Sequence, residues 1–99
     1  MKRFSEKVAL VTGGAFGMGA ATAKLFAAEG AKVVICDLLE EEGQKRITEI
    51  EEEGGTALFI KLDVTDETQW ESAIKTTLKS YGSLNVLVNN AGISGSGYQ

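Results

Sequence analysis

Residues 8–19 read Val-Ala-Leu-Val-Thr-Gly-Gly-Ala-Phe-Gly-Met-Gly, an apolar run that breaks into a glycine-rich turn. A short, continuous apolar run that ends at turn residues is typical of a strand buried on both faces of a parallel sheet. The alanine-rich segment at residues 17–29 predicts a helix, and Gly30 is a residue type that commonly ends one. The stretch therefore predicts a strand, a tight glycine loop and a helix in direct succession.

The rest of the chain repeats this alternation of strand and helix. Further strands are predicted at residues 32–36, 56–64 and 84–88, and further helices at residues 39–53 and 67–81. Strands that alternate with helices predict an α/β fold, in which right-handed crossovers connect the strands of a parallel sheet. We therefore expect the element order β-α-β-α-β-α-β.

Composition and charge exclude several classes of function. The chain has 99 residues, enough for one domain, and a net charge of −4. An acidic chain lacks the basic face that nucleic acid or an anionic membrane surface requires, so we expect neither as a partner. With no histidine and one cysteine, Cys36, it offers no histidine-based catalysis, no internal disulfide and no multi-cysteine metal site. No targeting or membrane-spanning segment is recognised, and we expect a cytoplasmic protein.

The glycine loop, residues 12–19, has the composition of a phosphate-binding loop. Glycine lets backbone N–H groups approach a pyrophosphate without a Cβ in the way, and the N-terminus of the next helix adds unpaired donors. No lysine follows the last glycine, which argues against a nucleoside triphosphatase loop. The loop does not match the usual Gly-x-Gly-x-x-Gly fingerprint, because Thr22 stands where the third glycine would follow Gly17 and Gly19. Its spacing is instead Thr-Gly-x-x-x-Gly-x-Gly. A tight turn that binds nothing is the alternative.

Asp37 follows the second predicted strand directly, 18 residues after Gly19 of the glycine loop. A dinucleotide-binding unit needs an acidic residue at this distance to accept hydrogen bonds from the adenosine ribose. The same carboxylate would repel a 2′-phosphate, and its expected neighbours Ala15, Leu38 and Leu39 are uncharged. These residues predict NAD rather than NADP as the cofactor. In the alternative interpretation, Asp37 and Glu40 form a capping box for the second helix.

Three motifs together resemble those of the classical short-chain dehydrogenase/reductase family. Residues 12–19 are similar to its cofactor loop, residues 63–64 to its adenine-contacting Asp-Val pair, and residues 89–92 to its Asn-Asn-Ala-Gly motif. The motifs occur in the family's order at the ends of the corresponding strands, and the resemblance covers essentially all 99 residues. It implies an oxidoreductase that moves hydride between NAD(H) and an alcohol or carbonyl group.

The resemblance also implies a role for each matching position. The pyrophosphate and the nicotinamide ribose would be lined by loop residues: Gly13, Ala15, Phe16, Gly17, Met18 and Gly19. Asp37 and Leu38 would meet the adenosine ribose, Asp63 the adenine amino group, and Val64 the adenine ring. The adenosine ribose and the sheet would be bordered by Asn90, Ala91 and Gly92. Asp63 as a turn cap, and the asparagines as partners of strand-end backbone groups, are the alternatives.

The catalytic residues of the family pattern have no counterpart in the chain. The family uses a Tyr-x-x-x-Lys pair, a preceding serine and an asparagine on the fourth helix. Tyr81 is followed four positions later by Asn85, and Tyr98 is the next-to-last residue. We therefore expect residues 1–92 to form an NAD-binding Rossmann half-domain and residues 93–99 a flexible Gly/Ser-rich tail. These 99 residues alone are expected to catalyse no turnover.

The implied Rossmann-like sheet, with strand order 3-2-1-4, is incomplete relative to the full family fold. Strand 4 would be an exposed apolar edge formed by Leu84, Val86 and Val88, and such an edge can pair with another chain. Only one helix would cover one of the two faces, so we predict an uncovered apolar patch and self-association as a homo-oligomer. Two other functions stay open. In the first, the chain is an active enzyme only when a C-terminal half complements it. In the second, it is a self-associating structural fold fragment with a relic cofactor site.

Overall fold

Four strands alternate with three helices in residues 4–90, the part of the chain that the computed structural model describes. In chain order the elements are β1 (Val8–Thr12), α1 (Gly17–Ala28), β2 (Lys32–Asp37), α2 (Glu40–Glu52), β3 (Thr56–Lys61), α3 (Glu67–Tyr81) and β4 (Val86–Asn89). The strands form one parallel sheet in the order β3-β2-β1-β4. The α/β fold and the strand order 3-2-1-4 predicted from the sequence are confirmed.

β1 occupies the centre of the sheet, paired with β2 on one side and with β4 on the other. All five of its residues are buried, as expected for a strand that is covered on both faces. Its last residue, Thr12, is in register with Cys36 of β2 and Asn89 of β4. Because the strands are parallel, the segments that follow them emerge at one edge of the sheet, which we call the carboxyl edge.

The three helices divide between the two faces of the sheet as right-handed crossovers predict. α1 and α2 cover one face, where Ala23 and Ile47 belong to the same buried cluster as Val11 and Ile35. Among the helices of residues 4–90, α3 is the one that covers the opposite face. The buried cluster there consists of Leu10, Val34, Cys36, Leu62 and Ala73, with Trp70 and Tyr81 packed against it.

The sheet face that α3 covers is left partly exposed at β4. Within residues 4–90, β4 is an edge strand that pairs with β1 alone. Leu87 of β4 is in register with the buried Leu10, yet 54% of Leu87 is exposed. A large apolar side chain therefore faces solvent on an edge strand.

Two strands begin or end two or more residues away from the positions that the sequence pattern predicts, and at each of these ends a side-chain oxygen accepts a backbone hydrogen bond. β3 ends at Lys61 rather than at residue 64, since the Asp63 Oδ1 accepts hydrogen bonds from the Thr65 N–H at 2.9 Å and from its hydroxyl at 2.7 Å. β4 begins two residues late, at Val86: the Asn85 N–H donates to the Val8 carbonyl oxygen at 2.9 Å, but the Val8 N–H donates to the Asn85 side-chain Oδ1 at 2.8 Å. The other ends agree with the predicted ones to within one residue.

Replacing Asn85 with alanine tests the link between this turn and β1. The substitution removes the acceptor of the buried Val8 N–H, so we expect the free energy of unfolding to fall by about 1–3 kcal/mol. Urea denaturation followed by circular dichroism measures the change. Ser83→Ala is the matched control, because the Ser83 hydroxyl donates to the same oxygen at 3.3 Å in a solvent-exposed hydrogen bond. Equal losses in the two variants would contradict the assignment.

Candidate functional site

The loop between β1 and α1 folds over the carboxyl edge of the sheet. The Gly13 N–H donates to the Cys36 carbonyl oxygen at 2.8 Å, which fastens the start of the loop to β2. Gly17, the first residue of α1, has a φ of 57°, a conformation that residues with a Cβ rarely adopt. A Cβ on Gly19 would overlap the Gly13 carbonyl group. The loop therefore needs glycine both for its turn and for the close approach of α1.

The N-terminus of α1 presents backbone donors beside this loop. The N-cap is Phe16, whose side chain makes no capping hydrogen bond, and the first turn contains no acidic residue. The first N–H groups of a helix lack partners within the helix, and they carry the positive end of its dipole. Ala15 is buried, whereas Phe16 and Met18 are 53% and 75% exposed. The loop and the helix end together have the donors of a phosphate-binding site.

The Asp37 carboxylate, at the end of β2, connects the glycine loop with the start of α2. Its Oδ2 accepts a hydrogen bond from the Ala15 N–H at 3.1 Å, and its Oδ1 accepts one from the Leu39 N–H at 3.0 Å. The N-cap of α2 is Leu39, without a side-chain cap, so Asp37 and Glu40 do not form the capping box that the sequence allowed. A carboxylate has about four lone-pair sites, so Asp37 can accept further hydrogen bonds.

A cleft of about 250 Å³ opens beside Asp37 at the carboxyl edge. Its lining combines the ends of three strands: Gly13, Cys36, Asp37, Leu38, Leu62, Asp63, Val64 and Thr65. The structure thus brings the two aspartates and the first glycine of the loop to one place. A complete small-molecule site is typically about 300–1,000 Å³, so this cleft suits one ring system of a longer ligand.

The turn after β3 holds Asp63 and Val64 at this cleft. Hydrogen bonds from the Thr65 hydroxyl and N–H keep the pKa of Asp63 below its ordinary value, so the carboxylate is ionised at neutral pH. The Asp63 N–H donates to the Gln69 Oε1 at 2.7 Å, and the Trp70 Nε1 donates to the Val64 carbonyl oxygen at 2.7 Å. Both tethers come from α3, which therefore positions the two cleft residues.

The end of β4 adds polar groups next to the start of the glycine loop. The buried Thr12 hydroxyl donates to the Asn89 Oδ1 at 2.9 Å and joins the ends of β1 and β4. The amide nitrogen of Asn90 is buried and finds no acceptor among residues 4–90. Ala91 and Gly92, the other two predicted site residues of this motif, lie outside the described residues.

Sequence reasoning missed the contact between Arg46 and the glycine loop. The Arg46 Nη1 donates to the Ala15 carbonyl oxygen at 3.3 Å, and its Nη2 donates to the Glu49 Oε2 at 2.9 Å. The residues expected beside Asp37 (Ala15, Leu38 and Leu39) are all uncharged, whereas the fold brings a cation to Ala15, which is hydrogen-bonded to Asp37. No motif marks Arg46, because the contact depends on how α2 crosses the sheet.

The part of the chain that is described offers neither a membrane span nor a metal centre. Over residues 4–90, every helix is too short or too polar to cross a bilayer. In the same range, histidine, cysteine, aspartate and glutamate side chains nowhere gather in a group of three that could hold a metal ion.

Comparison with known proteins identifies the family. The family model described as short chain dehydrogenase matches residues 7–99. This chain belongs to the short-chain dehydrogenase family. Membership makes the chain part of an oxidoreductase family and implies a nicotinamide dinucleotide as the cofactor.

Relatives of this short-chain dehydrogenase sequence are much longer than 99 residues. It is 56% identical over 91 residues to 2,5-dichloro-2,5-cyclohexadiene-1,4-diol dehydrogenase LinX of Sphingobium indicum, covering 92% of this chain and 36% of LinX. It is 50% identical over 93 residues to cyclopentanol dehydrogenase of Comamonas testosteroni, covering 94% and 37%. The crystal structure of a hydroxysteroid dehydrogenase from Escherichia coli matches with a TM-score of 0.86 and 31% identity, covering 88% of this chain and 37% of that one. The chain therefore spans little more than a third of the length of these relatives.

The Cys36 thiol at the cleft provides a test of the site's packing. Burial, and to a lesser extent the charge of Asp37, raises the pKa of Cys36 from 9.0 to about 12. The thiolate is the reactive form, and its fraction at pH 8 is roughly a thousandfold below that of an ordinary thiol, so we expect the native chain to react with a thiol reagent at least about tenfold more slowly. The chain unfolded in urea, assayed by the same absorbance change, is the control. Equal rates in the two states would show that the thiol is not buried.

Proposed function

We propose that this chain binds NAD in preference to NADP and forms the cofactor-binding part of an oxidoreductase that acts on an alcohol or carbonyl group. The position of the Asp37 carboxylate, in a cleft beside the glycine loop, carries the proposal. A carboxylate acceptor at this place would bind ribose hydroxyls and repel a 2′-phosphate. Family membership supports the class of cofactor, and Asp37 supports the choice between the two nucleotides.

The glycine loop and the N-terminus of α1 would hold the pyrophosphate. The backbones of Gly13 and Gly19 approach so closely that the Gly13 carbonyl oxygen occupies the place of a Cβ on Gly19. The first turn of α1 adds N–H donors and the positive end of the helix dipole. The proposed lining residues of the pyrophosphate and the nicotinamide ribose are Gly13, Ala15, Phe16, Gly17, Met18 and Gly19. Backbone N–H groups at a helix N-terminus suit an anionic pyrophosphate.

The cleft at the carboxyl edge would hold the adenosine. Asp37 and Leu38 would meet the ribose, Asp63 would accept from the adenine amino group, and Val64 would pack against the ring. The lowered pKa of Asp63 keeps it an acceptor at neutral pH. Three residues would border the adenosine ribose: Asn90, Ala91 and Gly92.

The bound cofactor would supply or accept a hydride, whereas residues 4–90 would bind and orient it without completing a catalytic site. Tyr81 illustrates the reason. The Lys32 ammonium lies 5.5 Å from the centre of the Tyr81 ring, and Lys32 is the first residue of β2, at the opposite end of that strand from Asp37. Tyr81 therefore lies far from the cleft, and burial followed by the charge of Glu51 raises its pKa. We propose that the 99 residues alone bind the cofactor without turnover.

Substitution of Asp37 tests the cofactor assignment. In Asp37→Ala, loss of the hydrogen bonds to the ribose should weaken NAD binding by about 1–3 kcal/mol, or roughly 5- to 150-fold, in calorimetric titration. Asp37→Asn removes the charge that repels a 2′-phosphate, so the preference for NAD over NADP should narrow. Asp66→Asn makes the same charge change at the start of α3, where asparagine remains a good N-cap, and serves as the control. An unchanged NAD affinity in Asp37→Ala refutes the ribose role.

We further propose that the 99-residue chain self-associates through the edge of β4, in the cytoplasm. The exposed Leu87 on an edge strand supports the first part, because unpaired backbone groups beside an apolar side chain favour pairing with a second chain. The single, free and buried Cys36 is compatible with a reducing compartment.

Sedimentation velocity over a wide concentration range tests the self-association. We expect the wild-type chain to form oligomers as its concentration rises, and Leu87→Lys to remain monomeric, because an edge lysine opposes pairing. Leu78→Lys is the matched control, since Leu78 is 45% exposed on α3 rather than on the edge strand. A single monomeric species of the wild-type chain at the highest concentration would contradict the proposal. The same oligomeric state in Leu87→Lys and Leu78→Lys would also contradict it.

A further inference from the structure

We propose that Arg46 is a positioning residue for the cofactor loop, a role that rests on the proposed function. The Arg46 Nη1 donates to the Ala15 carbonyl oxygen at 3.3 Å, while the Asp37 Oδ2 accepts from the Ala15 N–H at 3.1 Å. Side chains from two different elements thus hold the backbone on both sides of one buried loop residue. Arg46 acts through Ala15 and does not itself contact the cofactor.

Ala15 lies within the glycine-rich part of the loop, where contacts that order the backbone are needed. It lies between Gly14 and Gly17 in a loop whose glycines have the most conformational freedom of any residue type. Ordering a free loop on binding costs conformational entropy, and affinity improves when the loop is already ordered. The contacts at Ala15 order the centre of the loop before a ligand arrives. They also keep the Asp37 carboxylate directed toward the loop.

The Arg46 guanidinium is itself held in place by an ion-pair chain between α1 and α2. Its Nη2 donates to the Glu49 carboxylate at 2.9 Å, and Glu49 pairs with Lys24 of α1 at 2.6 Å. The hydrogen bond from Lys24, and then the charge of Arg46, hold the pKa of Glu49 below its ordinary value. The Arg46 side chain is 20% exposed. Through these contacts the Arg46 guanidinium links α1 and α2 to the backbone of the glycine loop.

The same arrangement argues against direct binding of a 2′-phosphate by Arg46. Two of its nitrogens already donate to the Ala15 carbonyl oxygen and to Glu49, and its third nitrogen, Nε, is buried. The Asp37 carboxylate on the other side of Ala15 repels an anion. Positioning of the loop and direct binding of a 2′-phosphate both involve the Arg46 guanidinium. Only direct binding would favour NADP over NAD, so the ratio of the two affinities separates these roles.

The first test uses the cofactor-free chain, so its result does not depend on whether a dinucleotide binds. Arg46→Met removes the guanidinium and keeps an apolar stem, and hydrogen exchange followed by NMR should show the Ala15 amide exchanging about tenfold faster. Arg46→Lys, which retains a donor, should recover part of the protection. Lys45→Met removes a charge from the neighbouring exposed position and should change nothing at Ala15. The amide of the core residue Val34 reports whether each variant folds.

The second test measures the affinities of the same variants for NAD and NADP by calorimetry. A positioning role predicts that Arg46→Met weakens both about three- to tenfold, so that their ratio stays constant. A selective loss of NADP affinity would make Arg46 a phosphate ligand and overturn the proposal. Unchanged exchange of the Ala15 amide in Arg46→Met would also overturn it. If the wild-type chain binds neither dinucleotide, the proposed function fails, and the exchange experiment alone decides the role of Arg46.

Discussion

The burial of β1 between two parallel neighbours is the constraint on which the candidate site depends. β1 (Val8–Thr12) has no exposed residue, pairs with β2 and β4, and lies between helices on both faces. A strand confined in this way sets the level at which each neighbouring strand ends. Thr12, Cys36 and Asn89 share one register, so the glycine loop, Asp37 and Asn90 all emerge at the same edge.

Asp37 joins the stability of the loop to its proposed binding role. In the chain without a ligand, its two carboxylate oxygens already accept hydrogen bonds from the Ala15 and Leu39 N–H groups. Ribose hydroxyls would use lone pairs that these bonds leave available, so binding need not dismantle the loop. Asp63 likewise combines a structural and a binding role. The hydrogen bonds from Thr65 that end β3 also keep its carboxylate ionised at the cleft.

Much of the fold followed from the sequence, because its main features depend on local patterns. The apolar run of β1 and the charged, narrowly amphipathic pattern of α2 identify their elements without tertiary information. The end of β3 could not be read in the same way, since Asp63 and Val64 continue a pattern that is compatible with a strand. A side-chain turn at Asp63 ends it, and periodicity does not register such a turn. The start of β4 was misjudged for a similar reason, since the Asn85 side chain binds Val8, 77 positions away in the chain.

The sequence by itself determined the alternation of strands and helices, the strand order through family resemblance, and the placement of Asp37 and Asp63 directly after strands. Only the tertiary structure decided which groups those residues contact. It joined Asp37 to the Ala15 N–H, and it brought Arg46 to the Ala15 carbonyl oxygen across 31 positions of the chain. The physical reason is that local patterns report which residues are buried and where the backbone turns. The contact of Arg46 instead depends on how α2 lies across the sheet, which is set by packing of the whole face.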